Sequence, residues 1–174
     1  QNQFQQPLYL ESAESARDLK GDIYALLDYP FATAKTALNN PENWCDVLIL
    51  HINTKYCRAV KGSGSTALAV SIGKKDFRRI DDAHRVDLAY RVAAESSDYL
   101  EIQLNADKGP LATSDYRIRV KMAPVDDKRT FLQLTYSYAY GVAGRLAMQA
   151  YLATAGSGKV GFTVTGKRPD GQPD

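Results

Sequence analysis

The chain is poor in the residues that usually announce chemistry: two histidines, two cysteines and one tryptophan in 174 residues, with almost no net charge. Each scarcity excludes something. Lys and Arg number 22 against 20 Asp and Glu, giving a formal charge of +2. Both signs are interspersed, so the long basic face of a nucleic-acid binder is missing. The one dense cluster, Lys74-Lys75 with Arg78-Arg79, reads as a solvated loop. No apolar run approaches the roughly 20 residues that cross a bilayer. His84 stands beside Asp81 and Asp82 with no second histidine near it, so a surface loop is expected there, and no metal or other cofactor is called for. Gly156-Ser157-Gly158-Lys159 is not a phosphate loop, because Ala153 occupies the first Gly position, Val160 follows the Lys, and a helical pattern precedes it. Neither Ser63 nor Ser65 completes a Gly-x-Ser-x-Gly elbow. No catalytic residue is assigned on these grounds.

What the chain does have is a change of period near its start. Ile23, Ala25 and Leu27 alternate with Asp22, Tyr24 and Leu26, a half-buried strand that Pro30 ends. From Phe31 the spacing turns helical through Ala34 and Leu38. Asn40-Pro41-Glu42 then reads as a second helix start, with a capping Asn, a Pro at the first helical position and an acid near the positive end of the dipole. Trp44, Val47, Leu48 and His51 fall on one face of that helix. A single strand over 46–53 is the competing reading; the cap favours the helix, with a strand over about 53–60 next. Under that choice the arms from Cys45 and Cys57 to the turn are roughly 9 Å and 15 Å, which permits a bridge, whereas one continuous strand holds the cysteines beyond the roughly 7 Å Cα limit. Two inert reduced thiols are the alternative.

With 44% hydrophobic and 24% charged residues the chain reads as one globular α+β domain with an apolar pocket. Residues 1–20 read as an arm in which only Leu8, Tyr9 and Leu10 are adhesive. Alternation then predicts strands over 66–72, 86–92, 99–105, 116–122 and 131–140, joined by short turns into an antiparallel meander. A helix follows with Val142, Leu146, Ala150 and Ala153 on its apolar side, ended by Gly156-Ser157-Gly158. Residues 159–165 read as one more extended segment, and 166–174 as a Pro- and Gly-rich tail.

Tyr136, Tyr138 and Tyr140 share one face of the last strand, and with Tyr90 and Tyr116 they are candidates to line a pocket, rings giving area and hydroxyls orientation; a filled aromatic core is the alternative. Trp44 is either a lid on the core or a ligand contact. His51 is either a satisfied core histidine or a pocket acid-base group. Arg117 and Arg119 point away from Ile118 and Val120, toward solvent unless they hold an acidic headgroup at a cavity mouth.

The order strand, two short helices, six antiparallel strands, helix resembles the START-like, or SRPBCC, helix-grip superfamily. Asp28-Tyr29-Pro30-Phe31 and Leu38-Asn39-Asn40-Pro41-Glu42-Asn43-Trp44 look like its strand-to-helix passage, and the likeness covers roughly residues 20 to 155. Asn43-Trp44-Cys45-Asp46, Gly109-Pro110-Leu111 with Ser114-Asp115-Tyr116-Arg117, and Lys159-Val160-Gly161-Phe162-Thr163 look like a group of exported bacterial START-like proteins without assigned function. The resemblance implies a curved antiparallel sheet of about seven strands gripping the C-terminal helix, with an arm over 1–19, the domain over 20–165 and a tail over 166–174. It implies a cavity for a lipid or other hydrophobic small molecule, with Trp44, His51, Tyr90, Tyr116, Tyr136, Tyr138, Tyr140 and Leu146 as its contacts. It supports a Cys45–Cys57 bridge and a periplasmic or secreted setting. Partners are expected to exclude nucleic acid and to include at most transient membrane contact. A cyclase- or dehydratase-type enzyme using a pocket His or Tyr, and a structural envelope module, are the alternatives. Gln1 in place of Met, and the Gln-rich opening 1–6, look like a mature terminus after signal-peptide removal. Such proteins also continue into a further helix after the Gly-Gln-Pro region.

Overall fold

Alternating side chains build the sheet, and a computed structural model describes it over residues 7–51, 53–73 and 80–154. Among the described residues eight strands form one antiparallel sheet: β1 (Leu8–Glu14), β2 (Asp18–Leu27), β3 (Thr54–Lys61), β4 (Thr66–Ile72), β5 (His84–Glu95), β6 (Leu100–Lys108), β7 (Thr113–Pro124) and β8 (Thr130–Tyr140), in the order β1-β2-β8-β7-β6-β5-β4-β3. The helices α1 (Phe31–Leu38) and α2 (Pro41–Leu48) fall between β2 and β3, and α3 (Val142–Ala153) follows β8.

Register puts the alternating apolar residues on one inner face. Leu27 opposes Thr130, Leu134 opposes both Ile23 and Val120, Ile102 opposes both Val120 and Val92, and Leu88 opposes Leu68. These rows and the helices α1 and α2 make the core, where Leu68, Leu100, Ile102, Leu104, Val120 and Met122 are all but fully buried. Burial of this kind is worth roughly 1.5–3 kcal/mol per large apolar side chain. Over β1, β2 and β8 the outer face carries the aromatic row Tyr9, Tyr24 and Phe131, whereas over β5, β6 and β7 it is polar. There Arg117 pairs with Asp115 and Arg119 with Glu101 at 3.5 Å, so neither arginine reaches the inner face.

Three departures from the sequence reading have local causes. The supposed arm is a strand: Ser15 turns the chain, its N–H donating to Asp18 O at 2.9 Å and its hydroxyl to Asp18 Oδ2 at 3.1 Å, and residues 8–14 then pair along β2. Helix α2 stops at Leu48, so His51 lies in the following turn and not on the helical face. On α3 the side carrying Val142 and Leu146 faces out, at 78% and 63% exposure, while Arg145 turns toward Glu14 across 3.9 Å. The predicted segment 159–165 and the tail lie outside the described residues.

Candidate functional site

The site begins with how the two short helices hold each other. Asn40 caps α2 as predicted, its Oδ1 accepting from Glu42 N at 3.0 Å, with Pro41 at the first helical position. A helix as short as α1 exposes its C-terminal carbonyls, and these must find donors. They do: Asn43 Nδ2 donates to Ala37 O at 2.8 Å, Trp44 Nε1 to Leu38 O at 2.7 Å, and the Tyr90 hydroxyl to Asn39 O at 3.0 Å. Trp44, 2% exposed, therefore packs against the core with its one donor committed. Lys35 ties α1 to the β5–β6 turn through Ser96 O at 2.7 Å and Glu95 at 2.9 Å. The fully buried Thr130 hydroxyl donates to Tyr29 O at 2.8 Å, fixing the entry to α1 above β8. A Cys45–Cys57 disulfide, Cα to Cα 5.2 Å, fastens α2 to β3.

Held this way, α1 and α2 do not fill the space over β2, β8 and β7. A cavity of about 420 Å³ remains. Its floor is Leu27, Val120, Leu132 and Leu134; its walls are Ala34, Ala37 and Leu38 of α1 with Trp44 and Val47 of α2; Tyr29 and Thr33 stand at its rim. No lining residue carries a charge. The volume falls within the range of small-molecule sites, which are mostly apolar with few polar groups. A wider hollow of about 520 Å³ lies around Asp28, Asp126, Asp127, Lys128 and Arg129. It is a surface feature whose lining residues are all charged, with Asp126 and Arg129 satisfying each other at 2.6 Å.

Beyond Leu134 the inner face of β8 turns aromatic. Tyr116 stacks on Tyr138 with centroids 5.5 Å apart, Tyr136 lies 6.2 Å from Tyr116 and 5.6 Å from Tyr138, and Tyr140 lies 6.0 Å from Tyr138. Gly109 makes this possible, since a Cβ there would fall 2.2 Å from the Tyr116 ring. Burial pushes the Tyr136 phenol far above its ordinary range, with the neighbouring Tyr116 and Tyr138 adding to it. Tyr138 is raised too, by burial first and then by Tyr116, Tyr140 and Glu14. Both are neutral hydrogen-bond donors at any physiological pH.

Of the contacts expected from sequence, Trp44 alone lies in the cavity wall. Tyr116, Tyr136, Tyr138 and Tyr140 cluster at the next positions along the strands, and Tyr90 sits under the α1–α2 connection. His51 is exposed in its turn, its Nδ1 accepting from Asn53 N at 3.3 Å, and Leu146 is on the outward side of α3; neither lines the cavity. The lining residues that sequence reasoning passed over, Ala34, Ala37, Leu132 and Leu134, carried the right signal in their periodicity. What could not be seen is that two alanines face two leucines and leave the space between them open.

The sequence matches no protein-family model and no curated protein. Among solved structures, the chain is similar to a START superfamily protein from Mycobacterium smegmatis, with TM-score 0.50, 15% identity, 83% of this chain and 97% of that one covered. The fold is START-like. The START-like chain is also similar to a truncated norcoclaurine synthase from Thalictrum flavum, at TM-score 0.49 and 13% identity over 84% of this chain and 91% of that one. At these identities the likeness concerns architecture, and the START-like domain's function has to be argued from its own cavity.

Proposed function

We propose that this START-like domain binds or carries a lipid or other hydrophobic small molecule in the cell envelope, without performing chemistry on it. One observation carries the reading: the cavity under α1 and α2 is lined by hydrocarbon and is left open beside inner-face rows of β4 and β6 whose residues Leu68, Leu100, Ile102 and Leu104 are all but fully buried. Transfer of an apolar ligand into it gains about 25 cal/mol per Å² removed from water, enough for binding with few polar contacts. Tyr29 is 62% exposed at the rim and Leu50 82% exposed one turn beyond Val47, which supports brief contact with a membrane during loading. The Cys45–Cys57 bridge supports a periplasmic or secreted setting, where disulfides persist. The exposed position of His51 counts against a pocket acid-base reaction that uses it.

The test is binding of a neutral naphthylamine dye that fluoresces in apolar surroundings, with Leu134→Gln as the comparison. Removing one apolar contact of this size costs about 1.5 kcal/mol or more, so affinity should fall at least about tenfold, while the melting temperature falls by only about 3–6 °C and the protein stays folded at the temperature of the assay. A dye that binds both proteins equally, or neither, defeats the proposal. Native mass spectrometry of protein from its own host would then show the natural ligand.

A further inference from the structure

The sheet is open, with β1 at one edge and β3 at the other. An edge strand presents unpaired N–H and C=O groups that attract another strand unless something blunts them. β3 is blunted: a bulge interrupts its pairing between Thr54 and Tyr56, it carries Lys55, Arg58 and Lys61, and the disulfide fastens α2 to it. β1 lacks the bulge, the cations and the tether. All seven of its residues pair with β2 in unbroken register, none of them is Lys, Arg or Pro, and Tyr9 and Leu10 are 53% and 45% exposed. Its two carboxylates are already engaged, Glu11 by the Tyr9 hydroxyl at 3.0 Å and Glu14 by the Tyr140 hydroxyl at 3.2 Å with Arg145 beyond it.

Hydrogen-bond phase decides which groups this edge offers. Leu26 N donates to Pro7 O at 3.0 Å and Ser15 N to Asp18 O at 2.9 Å. Antiparallel residues alternate between pairs that exchange hydrogen bonds and pairs that do not. The odd-numbered residues of β1 therefore bond to β2, and the main chain of Leu10 and Ser12 points out of the sheet. A second β1 running antiparallel to the first can only set even-numbered residues against even-numbered ones, which leaves three registers near the middle of the strand. With Ser12 against Ser12, Leu10 opposes a Glu14 carboxylate. With Leu10 against Ser12, the two Glu11 carboxylates oppose each other, a like-charge pair. With Leu10 against Leu10, each Tyr9 opposes the Glu11 of the other copy, a hydroxyl beside a carboxylate, and the two Tyr9 rings lie on the neighbouring diagonal. Only this last register has no conflict. It also continues the outer-face row Phe131, Tyr24 and Tyr9 of one copy into the same row of the other.

We propose that β1 is a docking edge for a second copy of this chain, the two strands pairing antiparallel about a two-fold axis at Leu10 and joining the two sheets into one. At the axis each Leu10 donates its N–H to the Leu10 carbonyl of the other copy, and the two side chains cover each other on the inner face. The contact is isologous, so it closes at two chains. It is a short strand pairing, and the dimer forms and dissociates with concentration. No β1 residue lines the cavity, so the assembly stands independently of what the cavity holds.

Sedimentation equilibrium of the full chain from micromolar to millimolar concentration tests the association, and cysteine scanning tests the register. The wild-type mass should rise from one chain toward two. Leu10→Pro deletes only an N–H that points out of the sheet, a position where an edge strand tolerates proline, so the melting temperature should hold while the dimer weakens about tenfold or more, the loss of one net hydrogen bond from each copy. Residues opposed in a hydrogen-bonded antiparallel pair lie about 5.5 Å apart at Cα, within disulfide range. Among the described residues there is no free cysteine to interfere. Leu10→Cys should therefore give a covalent dimer on mild oxidation, and Ser12→Cys should not. A mass that stays at one chain throughout overturns the proposal. So does a dimer that Leu10→Pro leaves as tight as before, which would put the contact elsewhere on the surface. Should Leu10→Pro fail to fold, the cysteine pair still decides: cross-linking through Ser12→Cys, or through neither, overturns the axis at Leu10.

Discussion

Removing the disulfide tests how α2 is held over the cavity. Cys45 and Cys57 are 12 residues apart in sequence, and the bridge closes a loop comprising the end of α2, the turn through His51 and the start of β3. In the chain-entropy treatment a loop of this length restrains the unfolded chain by about 3 kcal/mol. For a chain of this size that corresponds to a fall in melting temperature of roughly 6–12 °C in Cys45→Ala/Cys57→Ala. Urea titration should show the midpoint falling while the slope m rises, because the unfolded chain, freed of its cross-link, exposes more surface. Trp44 is the only tryptophan and neighbours Cys45, so its emission reports on the native position of α2 without added labels. With Nε1 still bonded to Leu38 O and the indole still packed against the core, the native emission should stay blue in the double variant. A melting temperature lowered by less than about 2 °C with m unchanged would refute the loop argument. A red shift of native Trp44 would show that the bridge, and not the carbonyl caps on α1, holds α2 down.

Two further outcomes follow from single contacts. Gly109→Ala places a methyl 2.2 Å from the Tyr116 ring at an ordinary backbone angle, so the cost is steric; it should destabilise by about 1–3 kcal/mol in urea and reduce near-ultraviolet tyrosine dichroism. Asp22 is buried on the outer face, and the hydrogen bond from Lys20, then that from Thr135, holds its carboxyl below the usual range. A depressed folded-state value contributes stability above the unfolded pKa of about 4 and loses it as pH falls through the folded value. The acid limb of a melting-temperature profile should therefore be shallower in Asp22→Asn, and an unaltered limb would remove Asp22 from the account.

The sequence made the inner face legible because its alternation is regular: Leu100, Ile102 and Leu104 on β6, or Ile118 and Val120 on β7, admit only one side as core. Asn40-Pro41-Glu42 located α2 for the same reason, since a cap leaves its mark in residue type. β1 was hidden because its residues are almost all exposed and show no apolar alternation; only the Ser15-x-x-Asp18 turn betrays it. The apolar side of α3 carries Leu146 and so predicts it inward, yet Arg145 turns toward Glu14, an ion pair 131 residues apart in sequence that no local pattern contains. His51 lies three residues beyond the end of α2 at Leu48, where a helical face has no meaning, and nothing in the residue types marks that end. The cavity was the least legible of all, because it is a difference between volumes contributed by four separate elements.

That difference also shows whether the space is kept for use. Ala37 lies on the exposed rim of α1, beside the half-buried Leu132 and Leu134, and the intervening hydrocarbon is in contact with water. Leucine is nearly as good a helix former as alanine, so nothing local forbids it at position 37. If the cavity were an idle packing fault, Ala37→Leu would only improve the protein: burying the added methylenes against β8 should raise stability by about 0.5–1.5 kcal/mol. If the cavity is a binding site, the same substitution exchanges function for stability, and dye affinity should fall several-fold as the unfolding midpoint rises. Both quantities come from one protein preparation and move in opposite directions. A midpoint that rises with dye affinity unchanged would mean that the ligand does not occupy the space between α1 and β8.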